Sequence, residues 1–255
     1  MSRSHVGTSR TLLVTGASRG IGAAVAVRCA QAGWDVAVNY TRDAAAAERV
    51  AQAVRSAGRQ AVALQADVAN EAALMAMFAR IDADMPPLGG LVNNAGVVDA
   101  MARVDETTLA RLQRMFAINV FGTFLCSREA VRRMSSRHGG NGGAIVNLSS
   151  VAAKLGGPGW YVDYAASKGA IDTFTVGLAR EVATEGIRVN AVRPGIIDTD
   201  IHASGGQPDR AHQSTALIPM QRPGTADEVA EAVQWLLSDA ARYTTGAIID
   251  VSGGR

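Results

Sequence analysis

Short apolar runs alternate with helix-like segments along almost the whole chain, and this alternation limits the fold more than any other feature. Apolar runs with few polar interruptions are typical of parallel strands that are covered on both faces. Their alternation with helices predicts an α/β fold: a doubly wound parallel sheet of about seven strands, with helices on both faces and right-handed crossovers. The strand candidates are residues 12–14, 35–40, 61–66, 90–93, 144–148, 188–192 and 247–251, and the helix candidates are residues 23–32, 44–56, 71–83 and 226–238.

The length of the chain favours a single domain. A chain of 255 residues can bury roughly 70–75% of its unfolded surface around one core. We therefore expect one domain over residues 11–255, after a flexible tail at residues 1–10.

Composition limits the expected partners. Charged residues make up 19% of the chain, the net charge is +2 and no basic run is present, so nucleic acid is not an expected partner. No apolar stretch approaches the ~20 residues that cross a membrane. Cys29 and Cys126 lie in apolar helical patterns and are expected to be buried thiols in a reducing cytoplasm.

A glycine-rich turn follows the first strand candidate. Gly16, Gly20 and Gly22 have the spacing G-x-x-x-G-x-G and precede a helix-like segment. Strand, glycine turn and helix in this order point backbone N–H groups and a helix N-terminus at a phosphate. Gly16 permits the tight turn, Gly20 lets the backbone approach the ligand, and Gly22 lets the helix pack closely on the strand.

The same turn also matches the G-x-S-x-G nucleophile elbow of serine hydrolases, with Ser18 as the serine. That alternative requires an acid and then a histidine downstream, and His202 and His212 are available. The motif follows the first strand, however, which leaves no earlier strand for the usual oxyanion loop. It also gives no role to the pair formed by Tyr164 and Lys168.

Tyr164 and Lys168 are four residues apart, so on a helix they lie on one face about one turn apart. Such a pair can be ordinary helix surface. It is also a catalytic unit, because a nearby cation favours the phenolate and lowers the tyrosine pKa from its usual ~10. Lowering it by roughly three units requires about 4 kcal/mol of differential stabilisation. One lysine in a partly desolvated cleft supplies much of that.

The motifs together resemble the short-chain dehydrogenase/reductase family over about residues 11–254, especially its 3-oxoacyl-carrier-protein reductases and glucose-dehydrogenase-like members. The resemblance implies a Rossmann-type fold, a nicotinamide cofactor, a carbonyl or alcohol substrate, a homotetramer and no metal. The matching segments, in family order, are residues 15–22, Asp67-Val68, residues 93–96, Asn119, Ser149-Ser150, Tyr164 with Lys168, residues 193–199, 222–224, 245–246 and 252–254.

The resemblance implies a catalytic set of four residues. Tyr164 is the expected general acid and base, and Lys168 is expected to lower its pKa and to bind the nicotinamide ribose. Ser150 is expected to hold the substrate oxygen, and Asn119, on a helix after the fourth strand, a water that links Lys168 to solvent. The family pattern selects Ser150 over Ser149.

Tyr161 is the competing tyrosine. Four residues after it is Ala165 rather than a lysine, so it lacks a cation partner and is expected to line the substrate cleft.

The end of the second strand indicates which cofactor binds. An acid there would accept hydrogen bonds from the adenosine ribose and repel a 2′-phosphate, but the chain has Asn39-Tyr40-Thr41-Arg42. With Ser18 and Arg19 these form a plausible phosphate clamp, so we expect NADP (NADPH). Asp43 is expected to cap the next helix.

The full set of residues expected to contact the cofactor follows from the same resemblance. It is Gly16, Ser18, Arg19, Gly20, Ile21, Gly22, Asn39, Tyr40, Thr41, Arg42, Asp67, Val68, Asn94, Ala95, Gly96, Tyr164, Lys168, Pro194, Gly195, Ile197 and Thr199.

The substrate is less defined. Residues 199–221 contain glycines, prolines and apolar side chains with little periodicity, and we expect them to form a mobile lid over a partly apolar pocket. They do not separate a sugar from another ketone or a 3-oxoacyl thioester. Arg132, Arg133 and Arg137 are possible contacts for an acidic carrier protein, but a solvated helix face is the preferred interpretation.

Three further expectations concern the rest of the molecule. Residues 138–143 are glycine-rich but precede a strand, which indicates a surface turn. Gly169, Ala170 and Gly177 would permit close helix–helix approach in an oligomer. A catalytically idle NADP-binding sensor or scaffold is the alternative function, and the presence of all four catalytic residue types speaks against it.

Overall fold

A computed structural model describes residues 10–199 and 210–255. Within them, seven parallel strands form one sheet in the order β3-β2-β1-β4-β5-β6-β7, which confirms the predicted doubly wound α/β fold. The strands are β1 Thr11–Val14, β2 Asp35–Tyr40, β3 Ala61–Gln65, β4 Leu88–Asn93, β5 Gly143–Leu148, β6 Ile187–Pro194 and β7 Ile248–Val251.

Helices connect the strands and cover both faces of the sheet. No helix of the described segments is long and apolar enough to cross a membrane. The α-helices are α1 Gly20–Gln31, α2 Ala44–Ser56, α3 Glu71–Asp84, α4 Leu109–Phe116, α5 Gly122–Met134, α6 Ala152–Leu155, α7 Val162–Val182, α8 Arg210–Gln213 and α9 Ala226–Leu237.

All seven strand candidates are strands, and only their ends differ from the prediction. The largest difference at a strand start is at β4, which begins at Leu88 rather than at Gly90. Glycines weaken the strand signal, but here Gly90 has a packing role. A Cβ atom on Gly90 would lie 2.7 Å from Leu12 Cδ1, so a side chain here would displace the buried Leu12 side chain of the neighbouring β1.

The near-continuous apolar runs arise because the sheet is buried on both faces. Leu12 and Val14 of β1 pack with α1, α2 and α9 in one hydrophobic cluster. Leu13, which points to the opposite face, packs with α3, α5 and α7 in a second cluster. All three β1 side chains are fully buried, which is why alternation of polar and apolar residues is absent from this strand.

The sheet has a topological switch point between β1 and β4. These strands are neighbours, although β2 and β3 lie between them in sequence. Crossovers leave this point in opposite directions, so a crevice opens at the carboxyl ends of the two strands, and ligands of doubly wound sheets bind there. Val14 is paired with Val92, which places the glycine turn after β1 beside Asn94.

Local predictions on two segments are confirmed. The Asp43 carboxylate accepts a hydrogen bond from Ala46 N (2.8 Å) and caps α2. The glycine-rich segment before β5 is a turn, with Gly139 and Gly142 at φ values of +84° and +74°. It packs more closely than a free surface loop, because a Cβ atom on Gly142 would lie 2.5 Å from the Gly186 carbonyl oxygen.

Both cysteines are fully buried, as predicted. Burial raises the pKa of Cys29 and of Cys126 to about 12, so both thiols stay protonated at neutral pH. They are in the reduced form.

The solvated-face interpretation of the α5 arginines is correct for Arg132 and wrong for Arg133. The Arg132 side chain is 57% exposed, whereas that of Arg133 is 21% exposed. Arg133 binds Asp82 on α3 (2.7 Å) and the buried Glu129 (3.0 Å). Its charge is thus used to join two helices, which the α5 sequence alone does not indicate.

Candidate active site

A cleft at the carboxyl ends of β4, β5 and β6 contains three of the four predicted catalytic residues and seven further residues that are expected to contact the cofactor. It also opens towards the glycine turn after β1. The cleft is lined by Ile21, Asn94, Gly96, Val98, Leu148, Ser149, Ser150, Val151, Ala152, Leu155, Gly157, Trp160, Tyr161, Tyr164, Lys168, Pro194, Gly195, Ile196, Ile197, Thr199 and Arg255.

Tyr164 and Lys168 lie in the first two turns of α7, on the same face. The Lys168 Nζ atom is 5.8 Å from the centre of the Tyr164 ring and donates a hydrogen bond to the Leu148 carbonyl at 2.7 Å. Lys168 is 5% exposed. Burial lowers its pKa to about 8, although the Asp172 charge opposes the shift. The lysine is therefore a cation near its titration point at neutral pH.

Asn119 lies in a π-helical turn, Ala117–Phe121, between α4 and α5. Such turns insert one residue into a helix and are frequent at functional sites. The fully buried Asn119 side chain accepts from Val97 N (2.8 Å) and donates to Val97 O (3.0 Å) and Ser167 Oγ (3.1 Å). A Cβ atom on Gly96 would lie 3.4 Å from Asn119 Oδ1 and 3.5 Å from Lys168 Nζ, so both side chains meet at this glycine.

The two serines after β5 differ in what they bind. The Ser149 hydroxyl is buried and donates to the Lys168 carbonyl oxygen (3.2 Å), which fastens β5 to α7. The Ser150 hydroxyl is half-buried at the cleft and accepts from Ala152 N (3.1 Å). Since that contact uses only an acceptor lone pair, the Ser150 O–H remains a donor for a ligand oxygen.

The glycine turn has the close approaches that its sequence predicts. Gly16 and Gly20 have φ values of +61° and +56°, in the left-handed region that favours glycine. Gly22 is buried at the start of α1, where a Cβ atom would lie 2.5 Å from Asn94 Nδ2 and 2.7 Å from the Gly16 carbonyl oxygen. Helix α1 therefore packs directly on the strand ends.

Helix α1 begins in a way that suits an anion. Its first turn contains no acidic residue, and Arg19 at the N-cap makes no side-chain cap hydrogen bond. The first backbone N–H groups of a helix have no partner within the helix, and the helix dipole favours negative charge there. The turn and this helix start together fit a dinucleotide phosphate.

Thr15 belongs to the sequence motif but was not among the predicted site residues. Its hydrogen bonds attach the start of the glycine turn to the segment after β4. Its hydroxyl oxygen accepts from Asn94 N (3.0 Å) and Ala95 N (2.9 Å). The Asn94 side chain donates in return to the carbonyl oxygens of Thr15 (2.8 Å) and Gly16 (3.0 Å). The sequence feature that could have indicated this role is a threonine that directly follows a buried strand and precedes the first glycine of the turn.

Of the residues predicted to bind the adenosine part of the cofactor, one is buried and the others are half-buried or exposed. Asn39 is 1% exposed, and its side chain accepts from Gly16 N (3.1 Å) and donates to the Ala66 carbonyl (3.0 Å). Its polar atoms are thus turned into the protein. Thr41 and Arg42 are exposed, and Tyr40 and Ser18 are half-buried at the same edge.

Asp67 and Val68 follow β3 at the same edge of the sheet. Asp67 is exposed and accepts from Ala69 N (3.0 Å). Val68 is 4% exposed and packs on Gly122, where a Cβ atom would lie 2.7 Å from Val68 Cγ2.

The segment after β6 forms the opposite side of the site. Gly195 packs against the C-terminal segment, since a Cβ atom there would lie 2.7 Å from Ser252 Cα. Ile197 is 4% exposed and forms an isolated bridge with Gly224. Thr199 lies over the glycine turn, where a Cβ atom on Gly20 would be 3.6 Å from Thr199 Cβ. The predicted lid continues into residues 200–209, which lie outside the described residues, as does His202 of the hydrolase alternative.

The wall of the cleft was largely missed from the sequence. Tyr161 lines it, as predicted, and is 5% exposed. Val98, Leu155 and Trp160 are further apolar lining residues, and Arg255 is a cationic one. These residues come from segments without helical or strand periodicity, so only their common position in the fold identifies them.

Comparison with known proteins gives matches over nearly the whole chain. The family model described as enoyl-(acyl carrier protein) reductase matches residues 16–255. The uncharacterized oxidoreductase YgfF of Escherichia coli K12 is 56% identical, with 95% of this chain and 98% of the relative covered. 3beta-hydroxysteroid dehydrogenase 1 of Eggerthella lenta is 39% identical (96% and 93% covered). The 3-oxoacyl-(acyl-carrier-protein) reductase FabG of Staphylococcus aureus is 37% identical (96% and 98% covered).

Solved structures agree with these matches. A short-chain dehydrogenase/reductase from Serratia marcescens superimposes with a TM-score of 0.88 at 38% identity, covering 96% of this chain and 97% of that one. A short-chain type dehydrogenase/reductase from Mycobacterium marinum gives a TM-score of 0.90 at 32% identity, covering 97% and 96%. With its glycine turn, Tyr164 and Lys168 at one cleft, the chain belongs to the short-chain dehydrogenase/reductase family of oxidoreductases.

Proposed function

We propose that this protein is an NADP-dependent oxidoreductase that transfers a hydride between the nicotinamide and a carbonyl or secondary alcohol, with Tyr164 as general acid and base. One observation carries the proposal. Tyr164 lies beside the buried cation of Lys168, in the same cleft as Ser150, and the cleft opens towards a turn that fits a dinucleotide phosphate. When bound, the nicotinamide would supply or accept the hydride.

In the proposed reduction, the protein supplies a proton and orients the carbonyl. The Ser150 hydroxyl donates a hydrogen bond to the substrate oxygen, and Tyr164 protonates that oxygen as negative charge develops on it. In the oxidative direction Tyr164 accepts the proton of the alcohol. Both residues line the cleft.

In this scheme Lys168 and Asn119 assist the proton transfer by Tyr164. A cation beside a phenol favours the phenolate, so Lys168 lowers the energy required to move the proton. Low polarity around the buried lysine strengthens this effect relative to water. Asn119 holds the chain at Val97 and Gly96 beside the Lys168 ammonium, and a water seated there would connect the lysine to solvent.

The preference for NADP rests on the charge at the end of β2. Arg42 and Thr41 are exposed there, and Arg19 is exposed in the glycine turn, so the described residues of this edge offer two guanidinium groups to a 2′-phosphate. Asp43, the next acid in sequence, accepts the capping hydrogen bond of α2. We assign Asn39 to positioning, because its amide bonds to backbone groups.

We propose a carbonyl or secondary alcohol with an apolar body as the substrate. The names of two relatives, a hydroxysteroid dehydrogenase and a 3-oxoacyl reductase, share that reacting group and differ in the rest of the molecule. The apolar wall of the cleft, with Val98, Leu155 and Trp160, suits apolar surface next to the carbonyl. A reducing cytoplasm, in which free cysteines persist, is the proposed location.

A homotetramer is the proposed assembly. The π-helical turn and helices α5 and α7 expose an aromatic patch: Phe121 is 59% and Phe124 46% exposed, and the Phe124 and Phe174 rings contact each other in a tilted arrangement with centroids 3.9 Å apart. Beside it, Cβ atoms on Gly169 and Gly177 would meet no atom within 4 Å, so the α7 surface admits a closely packed helix. Apolar patches of this kind mark protein contacts.

Replacement of Tyr164 by Phe tests the reaction. We expect kcat for ketone reduction with NADPH to fall by about 10²–10⁴-fold, the usual contribution of a general acid, while the Kd of NADPH changes little. The measurement is NADPH oxidation over a panel of ketones, aldehydes and 3-oxoacyl thioesters, with NADPH binding followed by fluorescence. Tyr161→Phe removes a hydroxyl from the same wall and is expected to lose less than about tenfold. Tight NADPH binding without turnover in the wild type would contradict the proposal and favour a sensor.

The pH profile of reduction tests the lysine. Because burial lowers the pKa of Lys168 to about 8, the ammonium is present below that pH and lost above it. We therefore expect kcat/KM for ketone reduction to fall as pH rises through about 8, in a limb that belongs to the Tyr164–Lys168 pair. Arginine keeps its proton to far higher pH, so in Lys168→Arg the limb should move. An unchanged limb in that variant would assign it to another group.

Replacement of Arg42 by Asp tests the cofactor preference. Loss of a cation and gain of a carboxylate disfavour the 2′-phosphate, so the ratio of kcat/KM values for NADPH over NADH should fall by about tenfold or more, equivalent to ~1.4 kcal/mol. Arg242→Asp is the matched control, since it makes the same charge change at an exposed position away from the β2 end. A ratio that moves equally in both variants would place the phosphate contact elsewhere.

Phe124→Glu tests the assembly. A carboxylate in a buried apolar contact is costly, so we expect the tetramer to dissociate into smaller species in size-exclusion chromatography with light scattering. Val104→Glu, at a side chain that is 71% exposed and lies outside the patch, should leave the mass unchanged. A wild-type monomer would refute the assembly.

A further inference from the structure

We propose that Arg111 is a positioning residue that holds the two walls of the substrate cleft together and so sets substrate selectivity and the place of Tyr164. One wall is the loop after β4, here called the β4 loop (residues 97–103). The other is the segment that enters α7, here called the α7 entry (residues 157–163). The inference rests on the proposed function and names a residue that acts through others.

Arg111, on α4, binds both walls with one guanidinium group. Its Nε donates to Asp163 Oδ2 (2.6 Å) and its Nη2 to Asp163 Oδ1 (3.3 Å). Its Nη1 donates to the carbonyl oxygen of Ala100 in the β4 loop (2.7 Å). A planar guanidinium has donors in a fixed fork and can hold a carboxylate and a carbonyl at once, which a lysine ammonium does less well.

The ion pair is buried. The side chains of Arg111 and Asp163 are 12% and 5% exposed. At such a site solvent screens the charges weakly, and removal of one partner leaves the other charge buried without compensation. The pair thus holds its geometry more firmly than a surface salt bridge does.

Asp163 connects the pair to the catalytic residue. It precedes Tyr164 in the first turn of α7, and its Oδ1 accepts from the backbone N–H of Tyr164 (2.9 Å). The carboxylate therefore satisfies one of the backbone N–H groups in the first turn of the helix that carries the proposed acid. Its position at a helix N-terminus is also favourable for negative charge. A shift of Asp163 would move the first turn of α7 and with it the phenol.

A second contact places the substrate-facing residues beside this pair. Ala102 N, in the β4 loop, donates to the Trp160 carbonyl in the α7 entry (3.0 Å). Val98 of the loop and Trp160 of the entry both line the cleft. Arg111 thus lies behind the two walls whose separation determines how bulky a substrate fits between them.

Arg114 provides an internal comparison. It lies on the same helix and binds the same β4 loop, through Asp99 (2.6 Å). Its side chain is 51% exposed and that of Asp99 30%. The Arg114 hydrogen bond lowers the pKa of Asp99, but exposed ion pairs of this kind contribute little to stability. Within the described residues no hydrogen bond or ion pair joins Arg114 to the α7 entry, so Arg114 tests whether any arginine that binds the loop suffices.

The test compares four single variants, Arg111→Met, Arg111→Lys, Asp163→Asn and Arg114→Met, and the double variant Arg111→Met with Asp163→Asn, on a small and a bulky ketone. We expect Arg111→Met to lower kcat by about 100-fold, the effect of a displacement of roughly 1 Å, and to reduce the preference between the two ketones. Arg111→Lys keeps the charge and should recover most of the stability but only part of the selectivity. Arg111→Met combined with Asp163→Asn should be no worse than the poorer single variant, because both act through one contact. Arg114→Met should stay within about twofold.

Unstable protein would lower the active fraction for both ketones equally, so a change in their kcat/KM ratio separates positioning from stability. Arg111 variants with the wild-type ratio and kcat would overturn the inference and leave the proposed reaction intact.

Hydrogen exchange gives a readout without turnover: in Arg111→Lys the amides of peptides spanning residues 97–103 and 160–166 should exchange faster than in Arg114→Met. Equal exchange in these two variants would also overturn the inference. Failure of the wild type to reduce any ketone, with exchange as expected, would instead overturn the proposed reaction.

Discussion

The contact between the ends of β1 and β4 is the constraint on which the site depends. Thr15, directly after β1, accepts hydrogen bonds from the backbone N–H groups of Asn94 and Ala95, directly after β4. Gly22 lets α1 pack within van der Waals distance of Asn94. Because these groups are buried or half-buried, each would be costly to leave without a partner. The same contact therefore orients the glycine turn and directs the chain after β4 along the cleft, where Gly96 lies beside Asn119 and Lys168.

Burial of Lys168 has two opposite effects: it disfavours the charged ammonium and it strengthens the effect of that charge on neighbouring groups. Burial works against its ammonium and lowers its pKa, while the Leu148 carbonyl accepts one of its hydrogen bonds. Full solvation would stabilise the cation but weaken its effect on the phenol through the high dielectric constant of water. Burial between β5 and α7 therefore leaves a lysine with a pKa of about 8, which is still largely charged at neutral pH and acts in surroundings of low dielectric constant.

The fold and the placement of Tyr164 and Lys168 on one face of a helix could be predicted from the sequence because their signals are local. Each strand is an apolar run, and Tyr164 and Lys168 are a pair at i and i+4. Signals fail where a residue's partner is distant in sequence. Gly90 weakens the strand pattern yet lets β4 approach Leu12, and Arg133, which resembles a solvated arginine, joins α5 to Asp82 on α3. Neither partner can be identified from the neighbouring residues.

The same distinction separates the motif residues from the walls of the cleft. The proposed proton-transfer residues are held by contacts within α7 and its neighbouring strand ends, whereas the cleft walls meet through pairs such as Arg111 with Asp163, which are 52 residues apart. A substitution at Val98 or Trp160 can therefore alter the space between the walls without changing Lys168 or the glycine turn, whereas a change at Arg111 or Asp163 also reaches Tyr164. Relatives that match over nearly the whole chain and have differently named substrates are what this arrangement predicts. The substrate of such a chain consequently depends on long-range packing, which motif spacing does not record.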